Sequence, residues 1–284
     1  RVPTAFAVAA VATIPFRIPI AVGGSSSNLL LPLYLVVAAG AVAFAVKALR
    51  ADQATSSPAG PPPAWLERLL ALALVLYAAQ AAYSGDEDRA LENVVFFYIP
   101  FAVMYVLLVR LAWTARLAAI SLGVLTGLAV ALASIGYVEF ATRHLLLNPK
   151  VIASNQVEES FRVNSLFFDP NIYGRFLVVV MLCVTTVLLW ATRKRTITVT
   201  ALVLAVLWAG LVLTLSQSSF AALLAGLAVL GGLRWSPKWA VAGVAGALLA
   251  AVVLVVAAPG HLGVDVSGRD AFNDTTSGRY DLIA

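Results

Sequence analysis

The stretch Phe161-Arg162-Val163-Asn164-Ser165-Leu166-Phe167-Phe168-Asp169-Pro170-Asn171-Ile172-Tyr173-Gly174-Arg175 runs directly into Phe176–Ala191, where no side chain is charged. A polar island against the mouth of a long apolar run is the pattern of a membrane-spanning helix with a loop at its boundary. The island reaches back to Arg143, and before it lies a second long apolar run, 117–140. Ionisable groups gathered at such a boundary are costly, which makes them candidates for a functional site.

The rest of the chain agrees in class. It is 61% hydrophobic and only 12% charged, against roughly 25% charged in soluble domains. Its mean hydropathy is +0.93. The expected fold class is all-α, a polytopic transmembrane helical bundle. A β-barrel needs a succession of short alternating strands, and the sequence shows none.

About nine membrane segments are expected, near 3–22, 29–49, 65–83, 93–110, 117–140, 171–191, 197–215, 218–233 and 239–258. The first contains Pro15, Arg17 and Pro19 and the fourth contains Pro100; membrane helices tolerate proline where neighbours satisfy the freed backbone groups. Gly23-Gly24-Ser25-Ser26-Ser27-Asn28 is expected to join the first two as a helical hairpin. Residues 1–284 read as a single transmembrane domain, with a proline-rich cytoplasmic linker at 51–64, an external loop at 141–170 between segments five and six, and an external segment at 259–279. Because the chain begins at Arg1 and stops at Ala284, where a further hydrophobic segment would start, it reads as a fragment of a longer protein.

The connections alternate in charge. Lys47 and Arg50, Arg110 and Arg116, Arg193-Lys194-Arg195, and Arg234 with Lys238 form one set. Asp86-Glu87-Asp88 with Glu92, the 141–170 island, Ser216–Ser219 and the 259–279 segment form the other. The positive-inside rule puts the basic set and the N-terminus in the cytoplasm, and the polar island on the external face of the cytoplasmic membrane. The net charge of +5 is explained by this placement and is no sign of nucleic-acid binding. The tryptophans mostly mark segment ends, as an aromatic belt does. With one cysteine, Cys183, and two isolated histidines, His144 and His261, the chain holds no disulfide framework and no recognisable metal motif.

Three polar elements are expected to meet on the external side: Arg162–Arg175, Thr214–Phe220 around Ser216, Gln217 and Ser218, and Thr275–Tyr280 with Arg279. Each ends a loop and starts a helix. Helix N-termini attract anions, and arginine adds donors that match phosphate. Asp169 is the only acid inside the tight motif, so arginine rather than a metal is the expected charge stabiliser.

At Arg162 with Phe168-Asp169-Pro170-Asn171-Ile172-Tyr173-Gly174, Ser216–Ser219 and Ser277-Gly278-Arg279, the chain resembles the O-antigen ligase family. These are polytopic enzymes sharing the ligase/polymerase membrane domain, and the resemblance spans roughly residues 60–284. It implies transfer of a glycan from an undecaprenyl-pyrophosphate donor to a glycan or lipid acceptor such as lipid A-core, at the external face of the bacterial inner membrane. It implies no metal and no cofactor, inversion at the anomeric carbon, and pyrophosphate held by Arg162 and Arg279. The family's base is a histidine in a later external loop, expected beyond Ala284, so neither His144 nor His261 inherits it and no catalytic residue is assigned. Many members carry Ser-Arg where this chain has Ser216-Gln217, and glutamine supplies no charge.

Several residues carry a second reading. Arg162 and Arg279 also fit interfacial anchors that snorkel to headgroups. Arg175 fits either a substrate contact or an ion pair with Asp169. Asp169 and Asn171 fit a loop–helix junction with Pro170 at the first helical position. Ser216–Ser219 fit a turn and cap, and Glu158-Glu159 a solvated loop face. The same arginines would also serve a polysaccharide polymerase of the same family, or a transporter or flippase of an anionic solute or lipid. A transporter is expected to show inverted repeats and midplane polar groups, and the sequence shows neither.

Overall fold

The computed structural model describes residues 2–16, 18–22, 25–50, 64–85, 87–146 and 161–236, with a few isolated positions besides. The helices are α1 (Val2–Thr13), α2 (Leu31–Arg50), α3 (Ala64–Ala81), α4 (Glu87–Asn93), α5 (Ile99–Val109), α6 (Ala115–Thr142), α7 (Pro170–Trp190), α8 (Lys194–Thr214) and α9 (Gln217–Arg234). Among the described residues, Ala90–Val109 and the helices α6, α7, α8 and α9 are long and apolar enough to cross a membrane. Nearly all of the last expected segment, 239–258, all but residue 64 of the linker at 51–64, and the 259–279 segment lie outside the described residues.

The first expected segment, 3–22, is not one helix. The α1 helix stops at Thr13, and an antiparallel hairpin follows, β1 (Ile18–Val22) with β2 (Ser25–Leu29), in a register that pairs Ile18 with Leu29 and Val22 with Ser25. Pro15 and Pro19 explain the break: each removes a backbone donor and biases the residue before it to extended geometry. A 12-residue helix is about 18 Å long, short of the roughly 30 Å hydrocarbon core. The acidic run near 86–92, expected as a loop, is mostly helical, with Glu87 opening α4 where the helix dipole favours a carboxylate.

Between α4 and α5 the chain makes a π-helical turn, Val94–Tyr98, in which Ile99 N–H donates to the Val94 carbonyl. Pro100 brings no N–H to this run, so the α ladder offers nothing to the Phe96 carbonyl. Tyr34 on α2 donates its hydroxyl to that carbonyl at 2.6 Å. Tyr34→Phe is therefore expected to lower stability by about 1 kcal/mol, the net worth of one such bond. Thermal unfolding in detergent reads this, and an unchanged midpoint would contradict it.

Two compact units divide the chain, Arg1–Ser219 and Phe220–Ala284. In the first, α6, α7 and α8 pack on one another, α1 lies against α6 and α2, α2 lies against α5, and α3 contacts α4, the π turn and α5. Small residues let these helices approach closely, as packing in lipid requires. A Cβ on Gly136 of α6 would stand 3.0 Å from Val163 and 3.3 Å from the Tyr173 hydroxyl. Tyr173, Leu177 and Val180 on α7, Leu207 and Leu211 on α8, and Ala129 and Ala133 on α6 are fully buried. In the second unit α9 runs to Arg234, and Trp235 N–H donates to the Gly231 carbonyl at 2.9 Å.

Candidate functional site

The loop 161–169 covers one end of the α6–α7–α8 cluster. Its apolar underside is Val163 and Phe167, both buried. Phe167 lies over Tyr173 and Phe176, with ring centroids 5.5 and 5.2 Å apart. The turn holds itself together: Asn164 Nδ2 donates to the Phe167 carbonyl at 2.9 Å, and Phe167 N–H donates to the Asn164 carbonyl at 3.0 Å. Val163 N–H donates to the Leu213 carbonyl at 3.1 Å, which ties the loop to the end of α8.

Arg162 leaves this platform toward the junction of α7 and α8. Its Nε donates to the Thr214 carbonyl at 3.2 Å, and Nη2 donates to Asn171 Oδ1 at 3.2 Å. The side chain is only partly buried. A guanidinium so held is pre-set in direction, the condition for it to meet an anion without reorganisation.

Asp169 caps α7, with Pro170 in its first turn: the carboxylate accepts from Asn171 N–H at 2.6 Å and from Ile172 N–H at 3.3 Å. The α7 N-terminus is thus answered by the protein's own carboxylate, and this weakens the expectation that its N–H groups bind substrate. The expected ion pair of Asp169 with Arg175 is not formed. The Arg175 side chain is exposed and makes no ion pair among the described residues, while Asp169 Oδ1 is engaged in the cap. Arg175 stands one turn beyond Asn171 on the same face of the helix. Asp169→Ala is expected to cost about 1–2 kcal/mol through loss of the cap, with Asp169→Asn nearly neutral. Unfolding midpoints of the two variants check this, and equal losses would contradict it.

The serine turn joins α8 to α9. Leu215 is left-handed with φ 50°, Thr214 Oγ1 donates to the Leu211 carbonyl at 2.7 Å, and Ser216 N–H donates to Thr214 Oγ1 at 3.3 Å. The Ser216 hydroxyl lies 2.8 Å from that of Ser219 and 3.4 Å from that of Ser218. Ser216 and Ser219 are buried, whereas Gln217 and Ser218 are exposed. Ser216 therefore builds the turn, and Gln217 and Ser218 stand on its outer side. Arg279 with Ser277 and Gly278, and Glu158-Glu159, lie outside the described residues.

Sequence reasoning passed over Glu139. It is the sole acid in the 117–140 run, and an acid inside an apolar span is the signal that marks it. Glu139 is 1% exposed. Its Oε1 accepts from Leu146 N–H at 3.1 Å and its Oε2 from Ser165 N–H at 2.7 Å. Ser165 is left-handed, φ 51°, and its hydroxyl donates to the Leu132 carbonyl at 2.8 Å. Glu139 also lines a groove of about 510 Å³ along α6, together with Ser134, Ile135, Val138, Thr142, His144 and Leu146. Arg143 lies over the Phe140 and Phe161 rings, 4.5 and 5.2 Å from their centroids, so its charge rests on aromatic faces. Among the described residues no three His, Cys, Asp or Glu side chains gather around one point.

Apolar helices of spanning length, three of them covered at one end by a hydrogen-bonded polar loop, define a multispanning membrane protein. No protein-family model, curated protein or solved structure matches the chain.

Proposed function

We propose that this protein is a membrane glycosyltransferase of the O-antigen ligase type, working without a metal. The donor is a glycan on undecaprenyl pyrophosphate, and the acceptor is lipid A-core or another glycan. The observation that carries the reading is the Arg162 guanidinium, fixed by Thr214 and Asn171 at the mouth of an apolar helix cluster. A polyprenyl pyrophosphate combines the two features this mouth offers to match, a long apolar tail and a compact anionic head.

In the proposed reaction the acceptor hydroxyl oxygen attacks the anomeric carbon and the bond from that carbon to the pyrophosphate oxygen breaks. The bonding pair stays on the pyrophosphate, where Arg162 stabilises the growing charge, with Arg175 as a further cation. The acceptor proton passes to a base that is assigned to no described residue.

The proposed topology has about nine segments in the bacterial inner membrane, a cytoplasmic N-terminus and the 141–170 loop outside. It is supported by helix direction: α6 begins beside Arg116 and α7 ends before Arg193, both opposite the ends that carry Arg162 and Asn171. Equilibrium binding to the full chain in nanodiscs tests the ligand class. Saturable binding of undecaprenyl pyrophosphate, and none of neutral undecaprenol, is expected; equal binding of both would count against an anion site.

A further inference from the structure

One buried carboxylate holds two separate pieces of the loop region. Glu139 sits in the last turn of α6, and its two side-chain oxygens close on the Leu146 and Ser165 amides. Its main-chain carbonyl also accepts from His144 N–H at 3.2 Å, where the helix ends at the left-handed Arg143. Each side-chain oxygen thus accepts one backbone N–H, and the residue as a whole is 1% exposed. Ser165 is a non-glycine residue at positive φ, a conformation that persists only where its surroundings over-determine it. Two bonds to α6 do so, one from its amide to Glu139 and one from its hydroxyl to the Leu132 carbonyl. Ser165 lies three residues after Arg162, in the turn whose Val163 amide is bonded to Leu213.

We propose that Glu139 is a positioning residue for Arg162: its carboxylate, closed over the Leu146 and Ser165 amides, sets the turn from which Arg162 reaches Thr214 and Asn171. Glu139 meets no substrate; it acts through the turn. The functional half of this inference rests on the reading of Arg162 as an anion-binding residue. Glu139→Gln tests it, because the amide keeps the shape but offers one acceptor oxygen and turns a donor toward an N–H. Glu139→Asp keeps both acceptors on a shorter stem.

Hydrogen exchange resolved to single amides, on the full chain in nanodiscs, reads the turn independently of any ligand. In Glu139→Gln, exchange at Ser165, Leu146 and Val163 is expected to quicken by about tenfold, the scale of one charge-assisted bond. The Leu177 amide inside α7 is expected to hold its rate, and Glu139→Asp to return part of the protection. Undecaprenyl pyrophosphate binding should weaken in parallel. A Val163 amide unmoved while Ser165 quickens overturns the positioning role, as does unaltered binding in a variant whose turn has loosened. If Glu139→Gln does not fold, Glu139→Asp against wild type carries the same comparison at Val163. A wild-type chain that binds no pyrophosphate lipid overturns the anion-site reading instead, and leaves the Val163 result to decide the positioning.

Discussion

Arg162→Ala is expected to lower glycan transfer by about 10²–10³, the loss seen when a fixed donor to a developing negative charge is removed. The fold should survive. The substitution gives up the bonds from Nε to the Thr214 carbonyl and from Nη2 to Asn171, a cost of about 1–2 kcal/mol. The loop keeps its bonds from Val163 to Leu213 and from Ser165 to Glu139. Arg162→Lys should recover part of the rate, because a point charge remains while the planar fork is lost. Transfer rate and unfolding midpoint, measured on the same preparations, separate the two effects. Wild-type transfer by Arg162→Ala would remove this residue from the mechanism.

Gly174→Ala is expected to be the most damaging small substitution in the helix cluster. A Cβ there would stand 2.6 Å from Ser219 Oγ, 3.1 Å from Ser219 Cβ and 3.2 Å from Thr214 Oγ1. Ser219 cannot simply turn away, because its hydroxyl is engaged with that of Ser216 at 2.8 Å and its own Cβ is also in the way. Overpacking of this kind costs about 1–3 kcal/mol. The same displacement would move Thr214, whose carbonyl holds Arg162, so activity should fall with stability. Ser219→Gly removes both Ser219 atoms and is expected to rescue Gly174→Ala. A double-mutant cycle on unfolding free energies reads the coupling, and strict additivity would show that the contact does not decide the cost.

Much of the helix layout is legible in the sequence because lipid imposes a single demand, an apolar run of sufficient length with its backbone bonds closed internally. The α6, α7, α8 and α9 helices fall within a few residues of the expected segments for that reason. Asp169-Pro170 announces its own helix start through a carboxylate that caps and a ring that fits the first turn. Legibility fails where local chemistry overrides hydropathy. Residues 3–22 are apolar enough to read as one segment, yet Pro15 and Pro19 divide them into a short helix and a strand. The Phe96 carbonyl, orphaned by Pro100 and met by Tyr34, depends on a contact between distant parts of the chain that no window of sequence contains.

The site divides along the same line. Arg162 and Asn171 are nine positions apart, and their meeting follows from a loop that folds back onto the start of α7. Their contact with Thr214 requires α7 and α8 to be packed, which hydropathy does not specify. Arg175 and Asp169 look like partners in sequence, but Asp169 caps the helix through Oδ1 and the two do not pair. Glu139 is inconspicuous in the sequence because one acid barely alters the hydropathy of an apolar run two dozen residues long. Its meaning lies in what two loop amides require of it.

The central claim, a polyprenyl-pyrophosphate glycan donor held at Arg162, is tested most directly by transfer from a synthetic undecaprenyl-pyrophosphate sugar. The full chain would be assayed with a chelator present, against a panel of lipid A-core and glycan acceptors. The account predicts glycosylated acceptor and released undecaprenyl pyrophosphate in equal amounts, with the accepted partner separating ligase from polymerase. An intact donor carried across the bilayer of a liposome, with no acceptor glycosylated, would contradict it and assign the arginines to transport.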